Sequence, residues 1–132
     1  MKRLARSVAG FLLISALAAC ATATSMGPGG PGTTGQTGLG KVFTDADGMT
    51  LYTYDADTPG KSNCSGFCAV FWPPVIAAET TMSTDGFTTI TRDNGTRQWA
   101  YRGKPLYGYI GDTTPGEASG DGVDGVWHVA KR

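Results

Sequence analysis

Apolar and polar side chains alternate over short stretches along residues 39–132, and Gly, Pro, Asp and Asn interrupt every stretch. This pattern predicts short strands joined by tight turns. Lys41 to Asp45 and Met49 to Asp55 flank Ala46-Asp47-Gly48, and Phe87 to Arg92 and Thr96 to Tyr101 flank Asp93-Asn94-Gly95. Each spacing predicts a β-hairpin, with a glycine to accept positive φ in the turn. Arg102-Gly103-Lys104 then turns the chain into Leu106 to Ile110, making a three-strand meander. Gly125 to Ala130 supplies a last strand with Trp127 and Val129 on one face. One or two helical turns are expected around Phe67 to Phe71, halted by Trp72-Pro73-Pro74. The expected fold is all-β: a small sandwich or open barrel of short antiparallel hairpins.

The chain repeats itself. At an offset of 55 residues, Gly48, Leu51, Tyr52, Tyr54, Asp57 and Trp72 pair with Gly103, Leu106, Tyr107, Tyr109, Asp112 and Trp127. One inserted threonine then brings Pro59-Gly60 into line with Pro115-Gly116. The reading is two pseudo-symmetric repeats of about 55 residues, at roughly 41–76 and 96–130. In a strand Tyr52 and Tyr54 share one face, while Leu51 and Thr53 share the other. Asp57 lies just past the strand, where Thr58-Pro59-Gly60 asks for a turn, and its carboxylate can accept from turn amides or a tyrosine hydroxyl. Tyr52, Tyr54, Asp57, Tyr107, Tyr109 and Asp112 are therefore expected to form a structural corner built twice; a duplicated ligand site is the alternative. At the same offset, Ser119 and Val123 stand in the places of Cys64 and Cys68.

Tyr52-Thr-Tyr54-Asp-Ala-Asp57 and Tyr107-Gly-Tyr109-Ile-Gly-Asp112 both fit Tyr-x-[Phe/Trp/Tyr]-x-x-Asp. With Cys64-x-x-x-Cys68, Trp72-Pro-Pro, Gln98-Trp99 and Gly103-Lys-Pro-Leu-Tyr107 around them, the chain resembles small secreted bacterial lipoproteins made of tandem repeats with that motif. The resemblance covers nearly the whole of residues 39–132. It implies export but no chemistry, because the family it points to has no established activity.

The N-terminus agrees. Lys2, Arg3 and Arg6 precede an apolar stretch from Val8 to Ala19, which ends in Leu17-Ala18-Ala19-Cys20. This is the three-part layout of a secretory signal, closed by a lipoprotein box. Residues 1–19 are expected to be removed and Cys20 to carry lipid, including palmitate, tethering the protein to the membrane of the cell envelope. Ala21 follows instead of the aspartate associated with inner-membrane retention, so the expected site is the outer membrane in a Gram-negative host and the outer face of the cell membrane in a Gram-positive one. Residues 20–38 read as a Gly/Pro/Thr linker.

Charge removes one class of partner. The 11 basic residues less Lys2, Arg3 and Arg6 leave 8 against 11 acidic ones, a net charge of −3. Arg92, Arg97, Arg102 and Lys104 are spread over strands and turns, so no basic patch for nucleic acid emerges. Once Cys20 is lipidated, Cys64 and Cys68 are the two remaining thiols in an oxidising compartment, and a structural disulfide is expected. Redox catalysis is the alternative, against which stand the Cys-x-x-x-Cys spacing and the lack of a βαβ pattern. His128 is the single histidine; alternation points it away from the Trp127 face, and it is a weak metal candidate with Met49 or Met82. Asp45-Ala-Asp47-Gly and Asp55-Ala-Asp57 lack the remaining ligands of a calcium loop. No motif nominates a nucleophile, and Asp57 with Asp112 is the one carboxylate pair to consider for glycosidase chemistry. Two function classes follow: a non-catalytic structural or interaction module that contacts an envelope protein or glycan, with no cofactor, or a redox or metal accessory using Cys64, Cys68 and His128.

Overall fold

The computed structural model describes residues 31, 33–79, 81 and 83–132. Cys20, the signal segment and Met82 lie outside the described residues. The fold is mostly β, made of short antiparallel sheets that do not close into a barrel. β1 (Thr33–Thr37) pairs with β2 (Gly40–Thr44), and β3 (Tyr52–Tyr54) pairs with β8 (Trp127–Val129). The third sheet runs β4 (Ile76–Ala77), β6 (Arg97–Tyr101), β5 (Phe87–Thr91), with β7 (Lys104–Pro105) also on β6. One helical turn, α1 (Phe67–Phe71), ends where Trp72-Pro73-Pro74 removes the donors a longer helix needs.

Several expectations hold: the β5/β6 hairpin turns at Asp93-Asn94-Gly95, α1 sits where proposed, and β8 supplies the last strand. Others change. Thr33–Thr37 belongs to the fold, not to a linker: its β-branched threonines pair with β2 along the full register from Thr33↔Thr44 to Thr37↔Gly40. The Asp47-Gly48 hairpin contracts to a Thr44↔Thr50 bridge and the Leu51 amide bonded to the Phe43 carbonyl at 3.0 Å, because β3 has β8 as its partner. Leu106–Ile110 is not a strand. Tyr107 instead makes single bridges to Tyr52 and to Pro74.

The Tyr52↔Tyr107 bridge joins two residues that occupy the same position in the two repeats. Tyr52 N–H donates to the Tyr107 carbonyl at 2.8 Å and Tyr107 N–H to the Tyr52 carbonyl at 3.0 Å, which marks a pseudo-twofold axis. The expected alternation then separates two cores. Leu51 and Leu106 enter one, with Phe43, Phe87, Trp99 and Tyr101. Tyr52 and Tyr107 enter the other, with Cys64, Trp72 and Trp127. Gly48 (φ 81°) and Gly103 (φ 82°) open equivalent turns in the left-handed conformation that glycine adopts without steric cost.

Candidate functional site

The duplicated motif is completed crosswise. Tyr52 donates its hydroxyl proton to Asp112 of the other repeat at 2.5 Å, and Tyr107 donates to Asp57 at 2.7 Å. Each carboxylate also takes a turn amide from its own repeat, Asn63 N–H to Asp57 at 2.6 Å and Ser119 N–H to Asp112 at 2.9 Å. These two amides do the same job, so Ser119 is the counterpart of Asn63. The counterpart of Cys64 is then Gly120, a correction to the uniform offset caused by the inserted threonine. Burial is the chief reason that both phenols are held well above the ordinary tyrosine range, and their aspartate partners push the same way. Burial also raises the Asp57 carboxyl, against the Asn63 amide and the Tyr107 hydroxyl, which favour its charged form.

A buried polar network stands behind one of these pairs. Tyr107 and Ser62 hydroxyls meet at 2.7 Å, and Arg92 donates to Ser62 (2.9 Å), to the Gln98 side-chain oxygen (2.7 Å) and to the Cys64 carbonyl (2.7 Å). Gln98 passes its amide on to the Leu106 carbonyl at 2.8 Å. Arg92 was expected among bases spread over strands and turns; it is buried, because Gln98 and the Cys64 carbonyl supply fixed acceptors. Among the described residues, no buried side-chain nitrogen or oxygen lacks a partner.

Above the pairs lies a column of four aromatic rings. Trp72 and Trp127, equivalent in the two repeats, stack at 3.8 Å with planes 3° apart. Tyr109 covers Trp72 at 4.3 Å and Tyr54 covers Trp127 at 4.4 Å, so the column Tyr54, Trp127, Trp72, Tyr109 reads the same from either end. Tyr54 and Tyr109 are half-buried, and a shallow groove along the column is floored by Cys68, Phe71, Val123 and Val126. Cys64 and Cys68 form a disulfide, with Cα atoms 5.2 Å apart.

Both motifs fall inside duplicated stretches that match one family model. It is described as a secreted repeat of unknown function, and it matches residues 33–76 and 88–131. The chain belongs to this secreted-repeat family. No curated protein and no solved structure matches it. In the secreted repeat as matched here, each copy is 44 residues long at a spacing of 55, shorter than the expected 55-residue unit. The first copy starts at β1, which makes the β1/β2 hairpin the counterpart of β5/β6.

The remaining candidates do not meet. His128 is exposed, as alternation requires, and its Nε2 lies 2.8 Å from an Asp55 carboxylate oxygen, in a cleft shared with Lys104 and Lys131. Cys68 lines the aromatic groove instead, and Met49 lines a third cleft. Among the described residues, no three His, Cys, Asp or Glu side chains converge as a metal site would require. Asp57 and Asp112 each face a buried tyrosine of the opposite repeat. The clefts beside them are pseudo-symmetric but differ in chemistry. Thr53, Asp55, Lys104, His128 and Lys131 line one side, where Gly108, Ile110, Met49, Pro73 and Ile76 hold the same positions on the other. Sequence reading missed the crosswise pairing, buried Arg92 and the ring column; the extra threonine before Pro115 was the one signal of the shifted turn.

Proposed function

We propose that this protein is a lipid-anchored component of the bacterial envelope, whose duplicated domain is a rigid, non-catalytic interaction module. The anchor reading is supported by the Leu17-Ala-Ala-Cys20 box at the end of a basic and then apolar leader. The module reading is carried by one observation: both Tyr–Asp pairs of the repeated motif are engaged with each other across the pseudo-twofold axis. Groups that complete a buried corner in this way fix backbone position. The half-buried rings of Tyr54 and Tyr109, at the two ends of the column, are the part of the motif left facing outward, and they suit contact with an envelope protein or glycan.

Labelled palmitate incorporated into the wild-type protein and lost in Cys20→Ala tests the anchor. Cross-linking in the intact envelope, compared between wild type and Tyr54→Ala/Tyr109→Ala, tests the module. A variant that still folds but loses its cross-linked partner supports the reading. One that folds and keeps every partner removes those two rings from it.

A further inference from the structure

The helical turn α1 has no buried residue. Phe67 is 86% exposed, Val70 56% and Phe71 54%, and the i, i+3, i+4 spacing puts all three on one face of the turn. Ile110, 57% exposed, adjoins them, its amide bonded to the Phe71 carbonyl at 3.0 Å. No side chain from Ser62 to Ala78 is charged, nor any from Pro105 to Gly111. Phenylalanines this exposed within two uncharged stretches of chain mark a site of contact.

We infer that the disulfide-fixed turn Phe67–Phe71, with Ile110 beside it, is a lipid-contacting knob that seats the domain on the bilayer surface. The inference deepens the anchored reading proposed above and rests on it. Four observations favour a lipid surface as the occupant. Phe67 and Val70 stand out from a turn that buries none of its residues, and Asp124 is the one charged side chain on the groove beside Phe71. Its disulfide ties the turn to Cys64, which is buried in the aromatic core, so little ordering remains to be paid on contact. The pseudo-equivalent flank is charged: Asp55 stands where Ile110 stands, Lys131 where Ile76 stands and Lys104 where Met49 stands. Equivalent positions that are apolar on one side of the pseudo-twofold axis and charged on the other give the uneven polarity of a protein lying at a membrane surface. Finally, the 12 residues 21–32 between Cys20 and β1 can span at most about 40 Å, so a lipidated Cys20 keeps the domain within reach of the bilayer.

The test uses the full lipidated protein in phosphatidylcholine vesicles, with Phe67→Trp as a reporter, Val70→Trp as a second and Lys104→Trp as the control on the charged flank. Blue-shifted emission and quenching by brominated acyl chains are expected for the first two and not for the third, and raised salt should leave both signals unchanged. Water-like, unquenched emission from Phe67→Trp and Val70→Trp in protein that sediments with vesicles overturns the knob and leaves the anchor intact. Protein that does not sediment overturns the anchored reading, and the knob with it. A blue shift that appears without lipid and grows with protein concentration assigns the face to a second copy of the chain and overturns the inference.

Discussion

The hydroxyl of Tyr107 reaches Asp57 across the pseudo-twofold axis, while its counterpart Tyr52 reaches Asp112 in the opposite sense. Neither repeat can therefore complete its own corner. Tyr107→Phe should cost about 1–2 kcal/mol, since it leaves the partly buried Asp57 carboxylate short of a donor, and Tyr52→Phe should cost about 1–3 kcal/mol through the buried Asp112. In urea both variants should lose the two repeats in one cooperative transition, read alike by fluorescence and circular dichroism. Two separated transitions would show that the repeats fold independently. A Tyr107→Phe/Asp57→Asn cycle should return a coupling of about 1 kcal/mol or more.

Raised phenols make the fold sensitive to alkali. Tyrosines in the unfolded chain release their protons near 10.0, whereas Tyr52 and Tyr107 in the folded protein release theirs only at higher pH. The stabilisation is therefore complete below pH 10 and is lost as pH rises through the folded values, by up to about 1.4 kcal/mol per tyrosine per pH unit. Denaturation midpoints measured between pH 8 and about 12 should fall steeply above 10, and Tyr52→Phe and Tyr107→Phe should each flatten the fall.

Arg92 is expected to behave as a core residue despite its charge. Arg92→Leu removes donors from the Gln98 side chain, the Cys64 carbonyl and Ser62 together, and should cost about 2–4 kcal/mol. Arg92→Lys should recover only part, because a single ammonium cannot reproduce the planar fork. Arg97→Leu is the comparison: Arg97 is half-buried and bonds the Glu79 carbonyl and Thr89, so a loss under about 1 kcal/mol is expected by chemical denaturation.

What the sequence revealed and what it hid divide by range. Alternation over Leu51 to Tyr54 assigned Leu51 and Tyr52 to opposite faces, and they enter different cores. Asp93-Asn94-Gly95 fixed its hairpin, and the prolines after Trp72 fixed the end of α1, because those decisions are made by neighbouring residues. β1 was hidden because Thr33 to Thr37 contain no large apolar side chain, and what secures the strand is backbone pairing with β2. The crosswise pairs were hidden because their partners are 60 and 50 residues apart, so alignment reveals that both repeats own a Tyr and an Asp but not whose Asp each Tyr meets. The burial of Arg92 was hidden because its acceptors, a glutamine and a carbonyl, carry no sign in a charge pattern.

Gly120 should resist substitution for reasons of space. A Cβ built there lies 2.8 Å from the Trp72 ring and 2.9 Å from the Tyr52 ring, two side chains locked by stacking and by Asp112. Gly120→Ala is expected to cost about 1–3 kcal/mol in a thermal or urea melt. Gly38→Ala, with open space around it, should change little. Equal effects at the two sites would mean that the rings yield.

The ring column predicts a spectroscopic signature. Trp72 and Trp127 stack at 3.8 Å in planes 3° apart, with tyrosines on both outer faces. Strong transitions of two identical indoles at that distance couple, and parallel planes still allow the in-plane dipoles to cross at an angle. The native protein should therefore show a bisignate tryptophan band in far-ultraviolet circular dichroism. Trp99 lies in the other core, so Trp99→Phe should leave the couplet in place, whereas Trp72→Phe and Trp127→Phe should each abolish it. Each of these two variants also leaves a smaller ring in the column and should lose about 0.5–1.5 kcal/mol of stacking. A couplet that survives either one would mean the two indoles are not neighbours in solution, and the crosswise assembly of the repeats would fall with it.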